Sequence, residues 1–292
     1  MQFLILGANG YLGSYLYKRM LSERINVIGT GHRHGYTKGL VKFDVLRDSI
    51  QNITKWVNDR ERTAIICIAQ TDIDQCKTQY EQSYQINVVF TQKMVEALLQ
   101  ESFHIIIFST DNVFDGLKGH YTEFDKTNAV NQYGRMKAEM ESFLSRGYPN
   151  VCIFRLPKVL GTEREQQNLL TDLEGKLVGG GIRCIKNSRM SIVAKEDVYQ
   201  SCIIAARQKL CGIFNLSSGE IFSRKELAEK FFGHMGSFEK EIVELELEEF
   251  AFKDIRPLNI SLDNTKFRSC VGYEFEPFDT IVMKYISNRV DS

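Results

Sequence analysis

The chain has 292 residues, 43% of them hydrophobic and 25% charged, which is enough for a large core and more than one layer of structure. Lys plus Arg and Asp plus Glu number 37 each, so no global charge field argues for nucleic acid or an anionic membrane as partner. No apolar stretch approaches the ~20 residues that span a bilayer. The opening MQFLILGANG has no basic segment and no small-residue cleavage site, so no signal peptide is expected and the location expected is cytoplasmic.

Strand-like and helix-like segments alternate from the start. QFLILG is a short apolar run ending in glycine, and GSYLYKRMLSER follows with helical spacing. NVIGTG is a second strand, SIQNITKWVND a helix and TAIICIA a third, buried strand. Trp56 sits at helical spacing and is expected to pack against the sheet. EQSYQINVVFTQKMVEALLQE is helical, HIIIFST a fourth strand, NQYGRMKAEMESFLS a helix and VCIFRL a fifth strand. This order predicts an α/β fold, a doubly wound parallel sheet with crossover helices on both faces. Near-continuous apolar strands agree with a sheet covered on both sides.

After about Leu156 the rhythm breaks. EREQQNLLTDLEGKL and KEDVYQSCIIAARQK read as helices, and GIFNLSS as a strand returning to the sheet. SRKELAEKFFGHM starts at Ser223 with Glu226 three residues on, the capping-box pattern. EIVELELEEF reads as a solvated strand edge and helix start rather than a metal site. Residues 1–156 and about 188–217 are expected to form a dinucleotide-binding Rossmann domain. About 157–187 and 218–292 are expected to form a small, interleaved C-terminal substrate lobe.

Cys67, Cys76, Cys152, Cys184, Cys202, Cys211 and Cys270 are odd in number and include no CxxC pair. Buried free thiols in a reducing compartment are expected, and no metal site. His32, His34, His104, His120 and His234 are scattered without ligand spacing.

GANGYLG puts Gly7, Gly10 and Gly13 between the first strand and first helix. Glycine permits the tight turn and the close approach of backbone to a pyrophosphate, and the helix N-terminus supplies open N–H groups. The second strand ends VIGTGHRHG, with Gly31 about where NAD-binding folds carry an acid. Loss of that acid removes repulsion against a 2′-phosphate, and Arg33 offers a planar fork to it. NADP(H) is therefore the favoured cofactor, and NAD(H) stays open. The residues expected to hold it are Gly7, Asn9, Gly10, Tyr11, Leu12, Gly13, His32, Arg33, Asp44, Val45, Ile68, Ala69, Gln70 and Asn87, with Tyr133 and Lys137.

YGRMK puts Tyr133 and Lys137 on one helix face. A carbonyl reductase needs a proton donor for the oxygen, and a free tyrosine at about pKa 10 is a weak one until a neighbouring ammonium lowers it. STD lies at the carboxyl end of the fourth strand, where open α/β sheets bind ligands, so Ser109 or Thr110 can hydrogen-bond a substrate carbonyl.

With these motifs in view, the chain resembles the extended short-chain dehydrogenases/reductases, and within them the dTDP-4-dehydrorhamnose reductase branch. GANGYLG, STDNVFDG, YTEFD, NQYGRMK, FRLPKVLG, GIFNLSSGE and RPLNISLD carry the resemblance in order along nearly the whole chain. It implies Thr110, Tyr133 and Lys137 as the catalytic trio, and Ser109, Asp111, Asn112, Val113, Lys158 and Arg256 as substrate contacts, with Arg256 near the nucleotide diphosphate. It further implies NADPH-dependent reduction of a 4-keto group on a nucleotide-linked 6-deoxy sugar, in cell-surface polysaccharide or deoxysugar biosynthesis.

Two positions depart from the branch. Asn112 stands where STDYVFDG has tyrosine, and Lys158 where tryptophan is common. Both changes trade aromatic surface for polar groups and point to a different, more polar or amino-substituted sugar. TNAVNQYG also lacks the proline common before the tyrosine. The same branch includes the NADP-binding regulatory beta subunit of methionine adenosyltransferase, so a regulatory role is the alternative. A homodimer through helices on the sheet's outer face stays open.

Overall fold

A computed structural model of the chain describes residues 1–32, 39–148, 150–178, 181–236 and 241–288, the side chains of 177 and 178 excepted. The main sheet contains β1 (Gln2–Leu6), β2 (Val27–Gly31), β3 (Val41–Lys42), β4 (Arg62–Ile66), β5 (His104–Thr110) and β6 (Val151–Leu156). A later strand, β10 (Gly212–Asn215), completes it. The order is β10-β6-β5-β4-β1-β2-β3, and every pairing is parallel. The doubly wound α/β fold read from the sequence is the observed one.

Helices cover both faces. In chain order they are α1 (Tyr11–Ser22), α2 (Gln51–Thr54), α3 (Ile73–Thr78), α4 (Tyr80–Tyr84), α5 (Thr91–Gln100), α6 (Gln132–Gly147), α7 (Leu169–Val178), α8 (Lys195–Gln208), α9 (Arg224–His234), α10 (Thr265–Val271) and α11 (Phe278–Ser287). Residues Gln85–Phe90 form a π-helical turn between α4 and α5. On one face Leu16, Met20, Phe154, Val198 and Cys202 pack between sheet, α1 and α8. On the other Ile105, Ile107, Ile153, Val95, Leu98, Met136 and Met140 pack between sheet, α5 and α6. The alternation of residues along β5 and β6 feeds these two layers in turn.

The remaining strands are β7 (Lys158–Leu160), β8 (Ile182–Ile185), β9 (Met190–Ala194), β11 (Ile221–Phe222) and β12 (Ile242–Leu245). They form a three-stranded sheet β11-β9-β7 and a two-stranded sheet β12-β8. Leu170, Leu173, Phe222, Phe231, Phe278 and Tyr285 make a separate core with them. Ser223 caps α9 with a complete capping box, as its spacing with Glu226 predicts.

Two local expectations are corrected. Only Gln51–Thr54 of SIQNITKWVND is helical, and Trp56 lies outside the sheet core, 56% exposed, with the Lys55 ammonium 5.7 Å from its ring. The helix ends before the tryptophan can rotate inward, and Ile53 and Val57 take the buried positions instead. All seven cysteines are free; Cys76, Cys152, Cys184 and Cys202 are buried, whereas Cys211 and Cys270 are exposed.

Candidate active site

The glycine loop joins β1 to α1. Gly7 has φ +87°, a left-handed conformation that glycine adopts without penalty. A Cβ on Gly13 would lie 2.2 Å from the Gly7 carbonyl oxygen, so only glycine lets the helix start this close to the strand. Gly10 caps α1 without a side chain, which leaves the first-turn amides open to an anion. The loop therefore fits the pyrophosphate of a dinucleotide.

Around it, Asn9 Nδ2 donates to the His32 carbonyl at 3.1 Å, which ties the loop to the end of β2. His32 Nδ1 is 3.7 Å from the Asp44 carboxylate. Asp44 also accepts from the Leu46 amide at 3.0 Å, and Val45 between them is half-buried. Arg33 lies outside the described residues. Across the loop, Ile68 sits against Gly7, and half-buried Ala69 leads to Gln70. The Gln70 amide donates to Asn87 Oδ1 at 2.8 Å and its carbonyl accepts from Asn87 Nδ2 at 2.9 Å. Tyr11 and Leu12 are half-buried at the helix start, and the Tyr11 hydroxyl donates to the Val159 carbonyl at 3.3 Å.

One clasp around this loop is invisible in motifs. Lys195, 1% exposed, lies 3.7 Å from the centre of the Tyr11 ring. Its ammonium donates to Gln166 at 2.6 Å and to Glu163 at 3.2 Å, while Gln166 donates to Ser14 at 2.8 Å. The segment after β7 is thus strapped over the first turn of α1.

Thr110 ends β5, register partner of Leu156 on β6. Its hydroxyl donates to Asp111 Oδ1 at 3.1 Å and accepts from the Asn112 amide at 3.2 Å. Asn112 Nδ2 donates to Asp111 Oδ1 at 2.9 Å, and Asn112 Oδ1 accepts from Asn131 Nδ2 at 3.0 Å. Asn131 Oδ1 in turn caps α6 by accepting from the Gly134 amide at 2.8 Å. The turn that carries Thr110 and the helix that carries Tyr133 are therefore held by one chain of side-chain hydrogen bonds. Packing enforces the same spacing, since a Cβ on Gly134 would fall 1.9 Å from the Asn112 carbonyl oxygen.

Tyr133 and Lys137 are both buried on α6. Burial, followed by the Asp111 carboxyl, raises the Tyr133 pKa above the ordinary phenol value, while the Thr110 hydroxyl opposes it. The phenol is protonated at neutral pH. Burial lowers the Lys137 pKa to about 8, against the opposing pull of Glu141 and Cys76. Burial raises Asp111 to about 7, opposed by hydrogen bonds from Thr110 and Asn112 and by the Lys158 charge. Lys158, on β7, reaches solvent but is hemmed in by protein, which together with Arg224 lowers its proton affinity; Asp111 and Asp172 hold it up.

The other expected contacts lie as follows. Ser109 is buried in register with Arg155, on the sheet face that α6 covers. Val113 is fully buried with Phe114, Tyr121 and Leu262, and its carbonyl accepts from the Asn128 amide. Arg256 pairs with Asp74 at 3.0 Å and its guanidinium lies 4.5 Å from the Phe252 ring centre. Beside α7 a cleft of about 500 Å³ is lined by Arg164, Gln167, Thr171, Asp172, Gly175 and Lys176, and Arg224 bonds Asp172 at 2.5 Å. Among the described residues no group of three or more His, Cys, Asp or Glu could hold a metal ion, and no helix is long and apolar enough to cross a membrane.

The fold is that of the extended short-chain dehydrogenases/reductases. The chain belongs to the RmlD substrate binding domain family, whose model matches residues 1–290. It is 28% identical over 236 residues to methionine adenosyltransferase 2 subunit beta of Danio rerio, covering 77% of this chain and 71% of that protein. It is 30% identical over 162 residues to dTDP-4-dehydrorhamnose reductase of Aggregatibacter actinomycetemcomitans, covering 55% of this chain and about half of the relative, 52%. Among solved structures, dTDP-4-dehydrorhamnose reductase of Bacillus anthracis in complex with NADP superposes with a TM-score of 0.86 at 21% identity, covering 99% of this chain and 100% of that one.

Proposed function

We propose that the protein reduces a 4-keto group on a nucleotide-linked 6-deoxy sugar with NADPH, in cell-surface polysaccharide or deoxysugar biosynthesis. What supports this reading is buried Tyr133 beside the Thr110 hydroxyl that ends β5, with buried Lys137 one turn further along α6. The family and the dTDP-4-dehydrorhamnose reductase relative support the substrate class.

When bound, NADPH supplies the hydride. Gly7, Gly10 and Gly13 with the open amides of α1 would hold its pyrophosphate, and Asn87 braces the wall at Gln70. Tyr133 gives a proton to the carbonyl oxygen as charge develops there, and its raised pKa keeps that proton available at neutral pH. Thr110 orients the oxygen. Lys137 stabilises the phenolate left behind and would help hold the ribose of the bound cofactor. The second lobe, with its cleft beside Arg164 and Lys176, takes the nucleotide end.

Asn112 and Lys158 bear on which sugar is accepted. Asn112 spends its side chain on Asp111 and Asn131, whereas Lys158 brings a cation beside Asp111. This favours a sugar more polar than the rhamnose precursor. NADPH oxidation against a panel of nucleotide 4-keto-6-deoxy sugars tests the proposal: at least one should be turned over, and none being turned over refutes it. The second reading is an NADP-binding regulatory subunit, favoured by the longer alignment to the methionine adenosyltransferase subunit. Stable co-purification with another enzyme, without ketosugar turnover, would select it.

A further inference from the structure

One turn beyond Lys137 on α6 lies Glu141, a buried carboxylate. It receives Nε and Nη2 of Arg155 at 3.0 and 2.6 Å, and Arg155 is itself only 2% exposed at the end of β6. The guanidinium lies 4.9 Å from the centre of the Phe114 ring, in the same STDNVF segment that supplies Thr110. Phe114 stacks on Tyr121 at 4.1 Å, so the cation is fixed against a rigid aromatic pair.

A buried ion pair is a poor device for stability alone. Desolvation of the two ions costs several kcal/mol, and apolar replacements of similar volume are often neutral or stabilising. Its orientation is informative. The carboxylate end is on the helix of Lys137, four residues on and on the same face, and the guanidinium end is across the gap on the sheet. We propose that Glu141 and Arg155 are positioning residues that keep Lys137 charged and seated beneath Tyr133, with Arg155 fixing the carboxylate and Glu141 presenting its negative charge to the ammonium.

The surroundings leave this task to Glu141. The charges that act on Lys137 are Glu141, one turn on along α6, and Cys76 on α3; Tyr133 lies one turn back on the same helix, and Arg155 on β6 holds Glu141 from the sheet. Tyr133 is held neutral, and burial favours the neutral thiol of Cys76. Glu141 is the carboxylate left to oppose the loss of the Lys137 proton by burial. The inference rests on Lys137 serving the reductase site.

The test is a titration that needs no substrate. Protein labelled with 13C at the lysine ε-carbon is followed by NMR, with the Lys137 signal assigned through Lys137→Arg. Wild type should titrate at about pH 8. In Glu141→Gln the midpoint should fall by about one pH unit, and Glu141→Asp should restore at least half of that. If Glu141→Gln does not fold with Arg155 unpaired, Glu141→Gln combined with Arg155→Met keeps the test open, with a smaller fall in the same direction. A folded variant whose Lys137 titrates as in wild type overturns the proposal. The pH profile of NADPH-dependent turnover should follow, its alkaline limb moving to lower pH in Glu141→Gln; a limb that stays put overturns the catalytic part. Absence of turnover in wild type on every ketosugar instead strikes the reductase reading, while the titration still judges the pair.

Discussion

Gly134→Ala puts the spacing between Thr110 and Tyr133 to a direct test. The added methyl would lie 1.9 Å from the Asn112 carbonyl oxygen, 2.8 Å from its carbon and 3.0 Å from the Ala129 Cβ. Comfortable contact needs about 3.5 Å, so α6 or the turn after β5 must retreat by roughly 1.6 Å. Overpacking of this kind costs about 1–3 kcal/mol, against at most ~1 kcal/mol gained from alanine's helix propensity. The net loss should lower the melting temperature by a few degrees, at roughly 2–4 °C per kcal/mol for a chain of this size. A misplacement near 1 Å can cost about 100-fold in rate, so kcat/KM should fall much further than stability suggests. Gly147→Ala, at the far end of the same helix with nothing within 4 Å, is the control and should melt at or slightly above wild type. Thermal melts and NADPH-dependent turnover of both variants decide the matter. Gly134→Ala with wild-type melting and turnover would refute the close approach of helix and turn.

Three further outcomes follow from the same geometry. Asp111, with a folded pKa of about 7 against an ordinary value of 3.8, binds more protons folded than unfolded between those values. Its contribution therefore makes the protein less stable as pH rises through that window, and Asp111→Asn should flatten this decline in melts from pH 4 to pH 8. Asn131→Ala removes the α6 cap and the Asn112 partner together and should cost about 1–2 kcal/mol in denaturant unfolding, while NADPH affinity stays near wild type. Fluorescence titration should show NADPH binding more tightly than NADH, because Gly31 supplies no acid at the ribose; the reverse order contradicts the cofactor assignment.

Much of this was legible in residue order. The glycine triplet between an apolar strand and a helix predicts the observed loop because only backbone freedom and a nearby helix N-terminus satisfy that spacing. Tyr133 and Lys137 share a face because helical periodicity dictates it. Other features depend on where separate segments meet. Arg155 looks like an edge residue in VCIFRL, yet it is buried because Glu141, fourteen residues earlier, returns to meet it across the sheet. The spacing of Tyr133, Lys137 and Glu141 in steps of four was the available signal. Asn131 caps α6, and its second bond to Asn112 needs the turn after β5 to be in place. Lys195 lies in an ordinary helical start, and its role as a clasp on Tyr11 arises only when the segment around Gln166 folds back. Trp56 was misread because helical periodicity continues past the point where α2 ends.

The most direct test of the account is Tyr133→Phe, compared with wild type for NADPH binding and for oxidation of NADPH in the presence of nucleotide 4-keto-6-deoxy sugars. The variant should bind NADPH as wild type does and lose turnover by about 100-fold or more, the share expected of a lost general acid. Wild-type turnover in Tyr133→Phe would contradict the assignment of Tyr133 as proton donor, and with it the reductase site built around it.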